Sequence, residues 1–309
     1  MSLRHRLSFL AWAGGYWART HLLRRNIPFI GGLVLNSTCN LSCRQCRVHA
    51  KLDADLTAAQ AREALDLFYA KGIRTLAITG GEPLLWHSDD LDCATLIRVA
   101  RDRGFRAISI YTNGTLPFDH LDVDAVFISL DGREAVHDAL RGPGCFRRIM
   151  RTIDGSRHPN LIVNHTINAA NSGEIESMCR LVAAHPKLNR IFFYFHTPYY
   201  GIDELFLPME KKRPLIRELI HLKRSGLPIA NSVSCLRRVA ADDWPRPSDV
   251  CVVYAHGRIF RCCRAVGNPV ACDNCGYLGY PEIQSILALR PDAIRDAFAY
   301  LSGSARRVD

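Results

Sequence analysis

The sequence predicts an α/β fold built on a parallel sheet, and three observations predict it. Six short runs rich in β-branched or aromatic residues recur at 33–35, 75–79, 107–111, 125–130, 161–167 and 191–195. Helical patterns fill the intervals between them. The chain has 309 residues, 48% hydrophobic and 23% charged, enough to bury one large core with a smaller appendage. Six strand–helix units in succession need right-handed crossovers, so the strands run parallel in a sheet that is either open or curled into a partial barrel.

The first segment, residues 1–28, is basic. The first acidic residue is Asp53, after Arg4, Arg6, Arg19, Arg24, Arg25, Arg44, Arg47 and Lys51, in a chain of net charge +10. The apolar run 7–18 is shorter than the roughly 20 residues a membrane-spanning helix needs. Trp12, Tyr16 and Trp17 beside Arg19, Arg24 and Arg25 have the composition of a helix lying on an anionic membrane surface through residues 1–26. The same composition suits a helix packed across the bottom of the main domain. A basic start with Ala11-Trp12-Ala13 also mimics a secretory signal. Export would oxidise the twelve cysteines, which bunch at two places, so reduced thiols and a cytoplasmic location, with or without peripheral contact to the inner membrane face, are expected.

Beyond the first strand, Thr57-Ala58-Ala59-Gln60 reads as a capping box opening a helix that ends near Lys71-Gly72 and turns Leu65 and Phe68 to the core. Later helices are expected over 91–103, 145–153, 172–185 and 209–224. From about 227 the alternation stops, Pro228, Pro245 and Pro247 punctuate the chain and cysteines return. The expected organisation is therefore a segment 1–28, a main domain 29–226 and a cysteine-rich region 227–309. Ligands of parallel α/β sheets sit at the carboxyl ends of the strands, so the residues just after each strand matter most.

Cys39, Cys43 and Cys46 follow the first strand directly. Three structural thiols or part of a zinc site would explain a cysteine triplet alone. Three thiolates on a four-iron cluster, which takes four cysteine ligands, would leave one iron open. The second strand ends in Thr79-Gly80-Gly81-Glu82-Pro83, where paired glycines let the backbone approach a neighbour and carbonyls can accept from an amine.

With Tyr111-Thr112-Asn113-Gly114-Thr115, Ile128-Ser129-Leu130-Asp131-Gly132 and His137-Asp138-Ala139-Leu140-Arg141-Gly142, these motifs make residues 30–225 resemble the radical S-adenosylmethionine (SAM) enzymes. The resemblance implies a partial (β/α)6 TIM-type barrel with a small cysteine-rich C-terminal domain. It implies a [4Fe-4S] cluster on Cys39, Cys43 and Cys46 whose open iron binds SAM. One-electron reduction, by a flavodoxin or ferredoxin, then yields a 5′-deoxyadenosyl radical. Gly80, Gly81 and Glu82 would hold the methionine amine, Asn113, Ser129 and Asp131 the ribose or carboxylate, and Arg141 the carboxylate. In the family the residue before the third cysteine is often aromatic, whereas here it is Gln45.

The second cysteine group comprises Cys235, Cys251, Cys262, Cys263, Cys272 and Cys275. Cys251, the Gly257-to-Cys262 spacing and Cys272-Asp273-Asn274-Cys275 resemble the auxiliary-cluster extensions called SPASM or twitch, which implies a second [4Fe-4S] cluster on Cys251, Cys262, Cys272 and Cys275. A zinc ribbon is the alternative for the same sulfurs, and Cys235 or Cys263 can replace one of the four. Cys93, Cys145 and Cys179, inside expected helices, read as ordinary buried thiols.

At the sixth strand's end, His196, Thr197, Tyr199 and Tyr200 should overlook the reaction centre; His196 and Tyr199 are the candidate catalytic residues, and His165 is a further candidate. Three substrate classes compete: a membrane lipid or isoprenoid, as for the radical SAM enzymes of hopanoid synthesis; a peptide to be matured; and an alcohol to be oxidised. About thirty residues before strand one leave no room for a leader-binding domain, a cobalamin domain is not expected, and no nucleic-acid partner is expected. A non-catalytic iron–sulfur or zinc scaffold is the non-enzyme alternative.

Overall fold

The computed structural model describes residues 3–46 and 54–302. Arg47, Lys51 and Asp53 lie outside the described residues. Six parallel strands, β1 (Ile30–Val34), β2 (Thr75–Thr79), β3 (Ala107–Thr112), β4 (Ala125–Ser129), β5 (Leu161–Ile167) and β6 (Leu188–Phe195), sit side by side in chain order. Helices α2 (Ala58–Ala70), α3 (Cys93–Asp102), α4 (Glu134–Arg141), α5 (Cys145–Gly155), α6 (Ile175–Ala184) and α7 (Met209–Arg224) occur between or after them. Side chains alternate along the strands. Leu76, Ile78, Ile108, Ile110, Val126 and Ile128 are at most 1% exposed beneath the helices, while Ala77, Ser109, Tyr111 and Phe127 face a central cavity.

The capping box is present as expected: Thr57 accepts from the Gln60 amide and the Gln60 side chain accepts from the Thr57 amide, with Leu65 and Phe68 fully buried below. β1 starts three residues before the expected strand because Gly31 and Gly32 belong to it. A Cβ on Gly31 would lie 2.7 Å from the Phe68 ring and one on Gly32 2.9 Å from Val253, so the bare backbone lets α2 and the next strand close in.

That next strand comes from the cysteine-rich C-terminal region and is not one of the six expected. There β7 (Cys251–Ala255) pairs parallel with β1, placing Cys251 beside Ile30, and β8 (Arg258–Arg261) pairs antiparallel outside it. The sheet thus has eight strands, in the order β8-β7-β1-β2-β3-β4-β5-β6. The unclaimed edge of β1, stripped of side chains by its glycines, takes up the Val252-Val253-Tyr254 run. At the opposite edge Asn231 covers β6: its amide accepts from Phe193 N and donates to Phe193 O, as a further strand would. Helices α8 (Val233–Ala241), α9 (Pro269–Asp273), α10 (Gly279–Leu287) and α11 (Pro291–Ser302) complete the chain.

Helix α1 (Leu3–Trp17) and the π-turn Ala18–Leu22 pack across the amino-terminal end of the sheet. Tyr16 is 2% exposed and donates to Ile27 O at 2.6 Å, Trp12 lies 5.7 Å from Phe29, and Trp17 Nε1 donates to Leu287 O at 3.1 Å. The aromatic residues that suggested a membrane belt therefore serve an internal contact. What this segment leaves exposed is Leu22 and Leu23, next to Arg19, Arg24 and Arg25. Among the described residues, no helix is long and apolar enough to cross a membrane.

Candidate active site at the carboxyl ends of the strands

The loop after β1 and the turn after β2 are zipped together. Leu35 N donates to Thr79 O (2.8 Å), Gly81 N to Asn36 O (2.7 Å) and Glu82 N to Thr38 O (2.8 Å). A Cβ on Gly80 would fall 2.1 Å from Asn36 Oδ1, and one on Gly81 2.3 Å from Thr38 O. The glycines thus serve first to let this turn touch the cysteine loop. Among the described residues nothing donates to the carbonyls of Gly80 and Gly81, so both can accept a hydrogen bond from a ligand. The Glu82 side chain is already engaged. Fully buried, it accepts from Thr112 Oγ1 (2.8 Å) and Asn113 N (2.7 Å), tying the second strand's turn to the third's. Burial nevertheless pushes its carboxyl above the usual range.

Cys39 is partly buried, Cys43 buried and Cys46 exposed, all as free thiols. Asn113 Nδ2 lies 3.8 Å from Cys39 Sγ and Arg141 Nη1 3.9 Å from Cys43 Sγ, so N–H donors already face two of the sulfurs. Burial pushes the Cys43 thiol up to about 11, so metal binding must displace its proton. Among the described residues no three His, Cys, Asp or Glu side chains converge as on a single ion. A four-iron cube presents its irons at separate corners, and a soft three-thiol loop with donors aimed at its sulfurs fits such a cluster.

Asp131 organises the far side of the site. It is fully buried, and its Oδ2 receives Arg141 Nε, Arg141 Nη2 and Gln45 Nε2, each at 2.7 Å, while Oδ1 receives Thr166 N at 2.9 Å. Burial alone would raise its pKa; the Arg141 guanidinium, His165, the Thr166 amide and His137 together more than offset this and hold the carboxyl below its usual value. Burial likewise opposes the charge of Arg141, and Asp131 together with Cys43 and Cys46 outweighs it. Gln45 is therefore a tether from the cysteine loop to Asp131, which explains a polar residue before Cys46. His137 accepts from Asp131 N through Nδ1 at 3.0 Å, and burial, with Arg141 nearby, lowers its pKa to about 4.

Asn113, Arg141 and Asp131 thus contact the cysteine loop, and Asp131 is committed to Arg141, Gln45 and Thr166. Ser129 ends β4, half-buried, with its hydroxyl unbonded among the described residues. Next to it across the β4–β5 pairing, Asn164 Oδ1 is buried without a partner, as is Gln45 Oε1. Two orphaned acceptors in this position suit a ligand rich in amine or hydroxyl donors. Asn164 is not singled out by the sequence, since one side chain in a strand carries no local signal; Gln45 stands out there only as a departure before Cys46, and His137 only as part of the motif 137–142.

A cavity of about 770 Å³ begins at Thr79 and Gly80 and runs through the barrel past Tyr111, Phe127 and Tyr194. It ends against α1, α10 and α11. Five cysteines of the second group, Cys251, Cys262, Cys263, Cys272 and Cys275, line it. The hairpin brings the first two together, with Cys262 N donating to Cys251 O at 2.9 Å. The segment after Cys275 docks on β6: Phe195 N donates to Gly276 O (2.9 Å) and Gly276 N to Thr197 Oγ1 (2.8 Å). Burial pushes the Cys251 thiol up to about 12 and Cys275 to about 11. Cys235 is outside the group, buried between α8 and α10 and donating to Leu278 O. Cys93, Cys145 and Cys179 are buried core thiols, as expected.

The end of β6 is only partly as expected. Thr197 and Tyr199 line the cavity, with Tyr199 43% exposed. His196 does not; it is buried with Nε2 3.2 Å from Asp203 Oδ2. His165 is a correction. Strand alternation turns Asn164 and Thr166 inward, and His165 sits fully buried on the helix side, Nδ1 bonded to Leu130 O and its ring 5.2 Å from Phe193.

Residues 33–182 match the model of the Radical SAM superfamily. An AdoMet-dependent heme synthase of Nitratidesulfovibrio vulgaris is 31% identical over 158 residues, covering 47% of this chain and 42% of that one. The sporulation killing factor maturation protein SkfB of Bacillus subtilis is 30% identical over 164 residues, covering 49% and 39% respectively. The chain spans less than half the length of these curated relatives. In fold it is similar to Streptococcus suis SuiB bound to precursor peptide SuiA, with a TM-score of 0.61, 15% identity, and 85% of this chain and 67% of that chain covered. With its cysteine loop and its glycine turn, the stretch 33–182 of the chain is a domain of the Radical SAM superfamily.

Proposed function

We propose that this protein cleaves SAM reductively at a [4Fe-4S] cluster held by Cys39, Cys43 and Cys46, and acts on an apolar substrate lodged in the barrel cavity. When bound, cluster and SAM together supply a 5′-deoxyadenosyl radical. The residues of the chain aim and protect it. The Gly80 and Gly81 carbonyls receive the methionine ammonium, Asn113 and Arg141 steady the sulfurs of Cys39 and Cys43, and Ser129, Asn164 and Gln45 meet the hydroxyl and amine groups of SAM. The observation that carries the reading is the cavity, which reaches Gly80 and is walled by aromatic and aliphatic side chains.

Anaerobic incubation of the reduced, iron-loaded protein with SAM should release 5′-deoxyadenosine. A Cys39→Ala, Cys43→Ala, Cys46→Ala protein should release none. Absence of product from the wild type, with apolar and peptide substrates supplied, would leave only the scaffold reading. We place an auxiliary cluster on four of the five cavity-lining cysteines, with Cys263 as the alternate member. Residual iron near four per chain in the triple variant supports it, and residual zinc would instead mean a ribbon.

Peptide maturation is the second reading, favoured by the similarity to SkfB. An apolar substrate from a membrane agrees with Leu22 and Leu23, 69% and 63% exposed beside Arg19, Arg24 and Arg25. Anionic vesicles should float the wild type but not a Leu22→Glu, Leu23→Glu variant. Equal flotation of the two would end the membrane reading.

A further inference from the structure

The cavity wall carries one polar feature that packing does not require. Tyr111, Tyr194 and Tyr277 line it together, their phenol groups gathered in one wall. Their rings are fixed by neighbours: Tyr111 stacks on Phe127 at 4.4 Å between centroids, Tyr194 lies 4.8 Å from Phe192, and Tyr277 lies 4.9 Å from Tyr194. Phenylalanine would fill the same space. The neighbouring Tyr280 shows the contrast, since its hydroxyl donates to Cys262 O at 2.8 Å and has a plain structural role. Among the described residues the other three hydroxyls have only one another.

We propose that Tyr111, Tyr194 and Tyr277 form the binding site for a hydrogen-bond-accepting oxygen, a carbonyl or a carboxylate, on an otherwise apolar substrate; the inference rests on the proposed function of the same cavity. Three neighbouring phenols can turn at least one hydroxyl donor toward a ligand. Burial first, and Tyr111 and Tyr277 next, raise the pKa of Tyr194 well above its ordinary value, so its hydroxyl keeps its proton at neutral pH. In a dry cavity an oxygen met by such donors is strongly preferred over a methylene, because the unmet partners would otherwise be left without hydrogen bonds.

The cluster's place gives it a use. Tyr111 is two residues before Asn113, which faces Cys39, and Tyr277 is two residues after Cys275. A substrate anchored there lies between the two cysteine groups. Its oxygen is fixed, and so is the carbon presented toward Gly80.

The test is calorimetric binding of three compact probes to the full-length, iron-loaded protein: ethylbenzene, acetophenone, which replaces its methylene by a carbonyl, and benzoate. Acetophenone or benzoate should bind about tenfold more tightly than ethylbenzene. In Tyr194→Phe and Tyr277→Phe the preference should fall below about threefold while ethylbenzene binding holds within about twofold, which also shows the variants to be folded. A tighter acetophenone assigns a carbonyl and a tighter benzoate a carboxylate. Equal binding of all three by the wild type, or an undiminished preference in both variants, overturns the inference. SAM cleavage scored on the same preparation separates the two readings: 5′-deoxyadenosine without oxygen preference removes this inference alone, and preference without 5′-deoxyadenosine removes the proposed function alone.

Discussion

Replacing Asp131 by alanine should cost about 3–5 kcal/mol of stability and lower the melting temperature by roughly 5–15 °C. The cost comes less from the lost attraction than from what stays behind. The Arg141 side chain is 11% exposed, and without Asp131 it is a buried cation with only the sulfur of Cys43 as a recorded partner. Thr166 N and Gln45 Nε2 also lose their acceptor. Asp131→Asn keeps an acceptor but no charge and should fall between the two proteins. Because Gln45 is the tether of the cysteine loop, both variants should weaken SAM binding, measured by equilibrium dialysis, more than a surface change of equal thermal cost. An alanine variant that melts within 1–2 °C of the wild type would show, on the same scale of roughly 2–4 °C per kcal/mol, that the pair can be dispensed with.

The pH dependence of the same node has a definite sign. Asp131 is depressed in the folded state, so its stabilisation is present above the unfolded value of about 3.9 and is lost as pH falls through the lower folded value. His137 is depressed too, to about 4. Its unfolded form takes up a proton near 6.5, so stability should already decline between pH 6.5 and 4 as the folded imidazole resists protonation. Melts of the wild type should fall over that window, and His137→Gln, which can still accept from Asp131 N, should flatten the fall.

What could be read from sequence was what repeats or what is local. The strands 75–79 and 161–167 and the helix 209–224 have the expected bounds, because unbroken β-branched runs and helical periodicity mark them. The Thr57 cap is a four-residue signal and is present. Cys39, Gly80, Asn113 and Asp131 follow successive strands, and strand order alone brings them together. The misses are long-range or one-sided. Nothing within 251–261 says that this hairpin joins β1; that follows from glycines some 220 residues earlier. His165 and Asn164 are neighbours, and a strand's two faces exchange them by a one-residue choice of register. Tyr111, Tyr194 and Tyr277 come from three separate segments, so no spacing rule links them.

Gly276→Ala should be the most disruptive single change in the C-terminal region, although alanine is the mildest of side chains. Its Cβ would lie 2.0 Å from Phe195 O and 2.5 Å from Phe195 C. Both are backbone atoms of β6, so no rotamer can relieve the clash; the strand end and the Cys275 segment must separate. That breaks the Phe195–Gly276 bond and the Thr197 contact, and a cost near the upper end of overpacking, about 3 kcal/mol, is expected. Gly173→Ala is the control, since its Cβ would meet nothing within 4 Å and its backbone is not left-handed. The separation also has a chemical readout, because this contact with β6 helps to hold Cys275 beside the hairpin cysteines. In a Cys39→Ala, Cys43→Ala, Cys46→Ala background, Gly276→Ala should abolish the residual iron that Gly173→Ala retains. Retention of that iron would mean that Cys251, Cys262 and Cys263 hold it without the Cys275 segment, and the proposed ligand set would have to be redrawn around the hairpin.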